Sequence, residues 1–164
     1  MKFSVPTGAA LAVLAAILPA FAADDDGIAR MALCRDSWFE WQKTEPAKLA
    51  ALGAHVRAVF SPKGGGGAVV PKGDLRVAGL KVIDAYPNSV GMGVGFSLDV
   101  DATFDDTRKA VEKALGKTLT HCETSDGMRD CELEIAKQRS VMLMAEDKPG
   151  AHRTLIGCYY FYEK

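Results

Sequence analysis

The stretch from Cys122 to Cys131 constrains this chain more than any other part of it. It reads Cys-Glu-Thr-Ser-Asp-Gly-Met-Arg-Asp-Cys, with Asp126-Gly127 at its centre. Asp-Gly suits a two-residue type I′ hairpin turn, because both central residues need positive φ. Counting outward from that turn sets Ser125 opposite Met128, Thr124 opposite Arg129, Glu123 opposite Asp130 and Cys122 opposite Cys131. Pair types alternate along an antiparallel ladder, so the two cysteines fall on a non-hydrogen-bonded pair with Cα atoms about 4.5 Å apart. A disulfide tolerates that separation. The chain holds four cysteines, so elimination pairs Cys34 with Cys158. On the chain-entropy model the short loop contributes about 2.7 kcal/mol and the long one about 4.9 kcal/mol. There is no C-x-x-C spacing to favour a redox dithiol. The cysteines are widely spread and His55, His121 and His152 are isolated from one another, so no metal or cofactor is expected.

Two disulfides require an oxidising compartment, and the N-terminus supplies a route to one. Lys2 precedes an apolar run from Ala9 to Leu18, Pro19 ends the run, and Ala20-Phe21-Ala22 has the small-x-small form of a cleavage site. A spanning helix needs roughly 20 apolar residues, and here Asp24-Asp25-Asp26 follows closely. Residues 1–22 therefore read as a signal peptide and residues 23–164 as one domain. The expected location is the periplasm or the exterior, with no membrane insertion after cleavage. The 164 residues carry a formal net charge of −1, which gives no general pull toward nucleic acid. A charged fraction of 25% beside 48% hydrophobic residues argues for a folded domain rather than a disordered one.

The periodicity of the rest predicts an α+β domain. Ile28, Met31, Ala32, Trp38 and Phe39 follow helical spacing. Pro46 opens a second helix with Leu49, Leu52, Val56, Val59 and Phe60 on its apolar stripe, although His55 to Phe60 also fits a strand. Residues 62–73 read as a flexible Gly-rich loop, with Lys63 and Lys72 as basic edges. Leu75 to Ile83 reads as one strand with an irregularity at Gly79, and Val90 to Asp101 as a second with strict alternation. Thr103 caps an inserted helix that ends at Gly116. Beyond the disulfide hairpin, Ser140 to Ala145 and Thr154 to Glu163 complete the strands. The expected architecture is a mostly antiparallel sheet of about five to six strands, with two N-terminal helices and the inserted helix packed on it.

The glycine side of the Val90–Asp101 strand is the candidate binding surface. Gly91, Gly93 and Gly95 leave backbone bare on one face, which suits close approach by a helix, a loop or a ligand. Tyr86, Asn88 and Ser89 are placed at the near end of that face, and Asp99 and Asp101 at the far end. The run Asp99, Asp101, Asp105, Asp106 lacks the Gly and Glu that an EF-hand loop requires, since Phe104 and Ala110 occupy those places. The four glycines at 64–67 are not followed by the Lys-Ser or Lys-Thr of a phosphate loop. By strand parity Cys158, Tyr160 and Tyr162 face the first helix, and Tyr159 and Phe161 the other side. His121 falls opposite Glu132 across the hairpin. No nucleophile–base motif is present, so no catalytic residue is named.

The expectation is a non-catalytic binding protein of the envelope that engages another protein, of inhibitor or immunity type. One alternative is a carrier of a small molecule or lipid, with a pocket between sheet and helices. Another is a small hydrolase that uses His121 or His152.

Overall fold

The structure, a computed structural model, describes residues 24–64, 67–87 and 93–161. The signal-peptide reading of residues 1–22 falls outside them, as does Tyr162. Four helices and nine strands follow one another: α1 (Asp26–Ala32), α2 (Trp41–Thr44), α3 (Pro46–Val59), β1 (Phe60–Pro62), β2 (Val69–Pro71), β3 (Arg76–Val77), β4 (Leu80–Tyr86), β5 (Gly93–Val100), α4 (Phe104–Leu115), β6 (His121–Ser125), β7 (Met128–Ala136), β8 (Arg139–Glu146) and β9 (Thr154–Phe161). The sheet runs β1-β2-β4-β5-β9-β8-β7-β6, and β3 shares the outer edge of β4 with β2. All its pairings are antiparallel.

The α+β class and the antiparallel sheet agree with expectation, but the expected five to six strands and three helices undercount the nine strands and four helices among the described residues. The additional elements have local causes. Residues 62–73 are not simply a loop: Val69–Pro71 returns alongside Phe60–Pro62 as a short hairpin, closed by a Lys63 N–H to Ala68 carbonyl bond of 3.0 Å. The segment from Leu75 is not one strand, because Ala78 and Gly79 both take positive φ (52° and 77°). That is type I′ geometry, and it turns β3 back on β4. The first helix stops at Ala32, before Trp38 and Phe39. Cys34 takes φ 52°, the Cys34 N–H reaches the Met31 carbonyl and the Arg35 N–H reaches the Arg30 carbonyl. These bonds form a Schellman ending with cysteine in the place glycine usually fills.

Helix ends elsewhere follow their local chemistry. The Asp25 carboxylate accepts the Ile28 N–H at the start of α1, and Thr103 Oγ1 accepts the Asp106 N–H at the start of α4. Gly116 closes α4 in the left-handed region. Helices α1 and α4 pack on one face of the sheet, α1 against β5 and β9 and α4 against β8. The core on that face holds Ile28, Leu33, Phe96, Leu98, Val111, Leu143 and Ile156, all within 1% of complete burial.

Both disulfides pair as the cysteine arithmetic requires. Cys122–Cys131 closes the hairpin with Cα atoms 4.0 Å apart, and Cys34–Cys158 joins the end of α1 to β9 with Cα atoms 5.0 Å apart. The β6–β7 register matches the expected pairing residue for residue, with Asp126 (φ 52°) and Gly127 (φ 74°) in the turn. Beside the long-range bridge, the Tyr160 ring lies 5.2 Å from both Trp38 and Phe39, and Tyr160 Oη donates to the Asp36 carbonyl.

The two bridges differ in the chain they close. Removing Cys34–Cys158 by paired alanine substitution is expected to cost about 5 kcal/mol, against about 3 kcal/mol for Cys122–Cys131. Urea denaturation of the two variants tests this. Equal losses would mean that loop length does not govern the contribution.

Candidate functional site

With α1 and α4 on one side, the opposite face of the central strands is free of those helices. Register gives its composition. Across β4, β5, β9, β8 and β7, one row runs Tyr86, Ser97, Gly157, Met142, Glu132, and the next runs Asp84, Asp99, Leu155, Met144, Asp130.

The β4–β5 end of this face is a closed polar network. Asp84 lies directly opposite Asp99 because the register shifts between Val82 and Asp84. Val82 faces the core opposite Val100, and the extra residue, Ile83, reverses the parity so that Asp84 joins Asp99 on the helix-free side. Both carboxylates are buried, at 1% and 6% exposure. Buried charge needs partners, and several elements supply them. Lys63 Nζ, from the β1–β2 hairpin, donates to both Asp84 oxygens at 2.8 Å. Arg153 Nη2 donates to Asp84 at 2.7 Å, and Arg153 Nε donates to Asp99 at 2.8 Å. Arg153 Nη2 also contacts Asp99. Tyr86 Oη donates to Asp99 at 2.9 Å and receives Arg153 Nη2 at 3.2 Å. Two buried anions thus meet two cations whose side chains are about half in water (49% and 53%). The Asp99 carboxylate holds the Arg153 guanidinium firmly protonated, above the ordinary arginine value. Burial, then the bond to Asp99, raises the Tyr86 phenol.

The glycines play a structural part where they can be seen. A Cβ on Gly95 would lie 2.7 Å from the Cys158 carbonyl oxygen and 2.8 Å from Tyr159 Cδ1. On Gly157 it would lie 2.6 Å from Tyr159 Cε2 and 2.9 Å from Ser97 Cβ. The Tyr159 ring fills the space these residues leave, so close packing by protein accounts for Gly95. Gly93 pairs with Phe161 at the end of β5. Tyr159 is buried, and burial raises its phenol. The Ser97 hydroxyl is near enough to affect that phenol but lies outside hydrogen-bond geometry, leaving Tyr159 Oη without a partner.

Beyond Arg153 the face opens into a surface cavity of about 480 Å³, lined by Asp99, Met128, Met144, Glu146, His152 and Leu155, among others. Of the expected site residues, the structure brings Tyr86 and Asp99 together rather than at opposite ends, because β4 runs antiparallel to β5. Asn88, Ser89 and Gly91 lie outside the described residues. Asp101 is exposed past the end of β5, its N–H bonded to the Lys81 carbonyl. The acidic run divides: Asp105 pairs with Arg129, and Asp106 accepts from Thr103 Oγ1. Among the described residues no group of three or more His, Cys, Asp or Glu is placed to hold a metal ion. Lys72, a basic edge of the 62–73 segment, donates to the Arg57 carbonyl. His121 stands exposed opposite Glu132, and His55 contacts Asp25 at the start of α1. Asp84, Arg153, Met144 and Leu155 carried no motif. The one local signal for Asp84 was the polar residue itself inside an apolar strand.

Comparison with protein-family models, with curated proteins and with solved structures finds no match to this chain.

Two outcomes follow from the network. Arg153→Ala leaves Asp99 with Tyr86 alone. It is expected to cost about 2 kcal/mol, below the usual value for breaking a buried pair because half the arginine is solvated. Asp99→Asn in the same chain should recover part of the loss in a thermal melt. The raised phenols of Tyr86, Tyr159 and Tyr160 favour the protonated form in the fold. Their contribution is complete below the ordinary phenol value of about 10 and is lost as pH rises through the folded values. Tyrosinate absorbance of the folded chain should therefore lag that of the denatured chain in an alkaline titration.

Proposed function

We propose that this is an exported, non-catalytic protein that binds another protein of the cell envelope, in the manner of an inhibitor or immunity partner, through the helix-free face of its sheet. The observation that supports the reading is the shape of that face. One end is locked by the Asp84–Arg153–Asp99 network, and beside it Met144 and Leu155 form a partly exposed apolar floor. A surface held by two disulfides and an ionic network loses little conformational freedom on association. Export rests on the signal-like leader and on disulfides that suit an oxidising compartment.

The carrier reading required space between sheet and helices. Phe96, Leu98, Ile28 and the Cys34–Cys158 bridge occupy that region. The hydrolase reading used His121 or His152 with nearby carboxylates, and among the described residues neither imidazole is hydrogen-bonded to one.

A photo-crosslinking residue placed at Met144 in cells of the source organism is expected to yield a discrete protein adduct. The same residue at Lys109, on the outer side of α4, should yield none. Absence of an adduct from Met144, or a native mass showing a retained small molecule, would overturn the reading. The denatured mass from the same preparation tests processing after Ala22, and an unprocessed chain would remove the export step.

A further inference from the structure

We infer that the β6–β8 half of the helix-free face docks a basic protein surface, one that presents lysine or arginine side chains around an apolar residue. This rests on the binding reading above and adds the chemistry of the partner. The first observation is unbalanced charge. Glu123, Asp130, Glu132 and Glu134 all point to this face, and none has an ion-pair partner among the described residues. Glu123 lies directly opposite Asp130, and like charges in that position destabilise a sheet.

Three neighbouring cations are committed elsewhere. Arg153 serves Asp84 and Asp99, and Lys148 pairs with Glu146. Arg129 turns to the other side of β7, onto Asp105 and the Phe104 ring. Among the described residues of β6 and β7, His121 is the one base that shares this face with the four carboxylates. The whole chain carries a net charge of only −1, so the acidity is a property of this patch and not of the molecule at large.

The second observation is what borders the patch. Glu132 is flanked across the ladder by Met142, and Asp130 by Met144, with Leu155 next in that row. Acidic and apolar strips therefore run side by side, the arrangement that a basic surface with an apolar centre complements. Basic groups seated on Glu123, Asp130 and Glu132 relieve the repulsion there, while an apolar residue covers Met144 and Leu155. Complementary charge of this kind steers association and sets its salt dependence.

The test uses the full mature chain and a labelled peptide of alternating lysine and leucine, with a glutamate–leucine peptide as its counterpart. Fluorescence anisotropy is expected to show binding of the lysine peptide only, weakened about tenfold between 50 and 300 mM salt. Asp130→Lys with Glu132→Lys should weaken it by roughly 30-fold or more, as expected for lost interfacial charge pairs. Glu40→Lys with Asp74→Lys gives the same net charge at exposed sites away from the patch and should change it less than about threefold. Equal loss in the two variants, or no preference between peptides, overturns the inference.

A second measurement needs no ligand. Glu123→Gln with Asp130→Asn should raise the melting temperature by about 2 °C in low salt, and a fall would show that the opposed carboxylates carry no repulsion to relieve. The two levels of the reading separate cleanly. A crosslinked partner at Met144 with an acidic or neutral contact surface leaves protein binding standing and removes the basic partner. Lysine-peptide binding with no adduct at Met144 does the reverse.

Discussion

The Cys34–Cys158 bridge lies where the N-terminal helices meet the middle of the sheet. Cys158 sits on β9 between Phe96 of β5 and Val141 of β8, and all three are fully buried. Cys34 arrives there because the chain leaves α1 through a left-handed residue, which swings the following segment across the sheet. That swing sets Trp38 and Phe39 against Tyr160. Helix α1 is only seven residues long, too short to be stable alone. Its position depends on the covalent tie and on burial of Ile28, Met31 and Leu33. Once α1 and α4 occupy one face, the other face must manage its polar and apolar groups without them.

That face is managed differently at its two ends. Around β4 and β5 every buried charge has a partner, and the Tyr159 ring fills the space above Gly95 and Gly157. Around β6 and β7 the carboxylates have no ion-pair partner among the described residues, and two of them oppose each other. A sheet edge with charged side chains is protected from pairing with other chains, and β6, exposed along its whole length, benefits from that. Edge protection alone explains the charge on β6. It does not explain a row of acids on β7, which is an interior strand paired on both sides.

Much of the fold was legible because its signals were local. Asp126-Gly127 and the two flanking cysteines define register by counting, and the β6–β7 ladder follows that count. Thr103 and Gly116 bracket α4 by capping chemistry alone. The parts that were not legible depend on backbone states that the residue type does not advertise. Cys34 ends a helix in a conformation where glycine is the usual signal, and Ala78-Gly79 makes a turn that an Asn-Gly or Asp-Gly pair would have announced. The candidate site suffered most from the bulge at Ile83. Strict alternation through β4 puts Asp84 on the same side as Val82, inside the core, where a carboxylate has no place. One extra residue moves it to the opposite side, and with it the partnership of Lys63, Arg153 and Asp99. Arg153, near the start of β9, gave no sign in sequence that it would span two buried acids.

The contrast between the two ends of the face bears on what the protein does. An ionic network with two buried carboxylates is costly to desolvate and is weak evidence for stability in itself. Here it fixes the relative placement of the β1–β2 hairpin, β4, β5 and the approach to β9, so that the surface beside it is rigid before anything binds. The acidic strip lies on the stapled hairpin, where the Cys122–Cys131 bridge holds β6 against the repulsion between Glu123 and Asp130. A short covalent staple placed beside an unfavourable charge pair lets the charges persist without fraying the edge. Rigidity at one end and retained repulsion at the other are both what a surface requires if its charges are to be neutralised by a partner rather than by the chain itself.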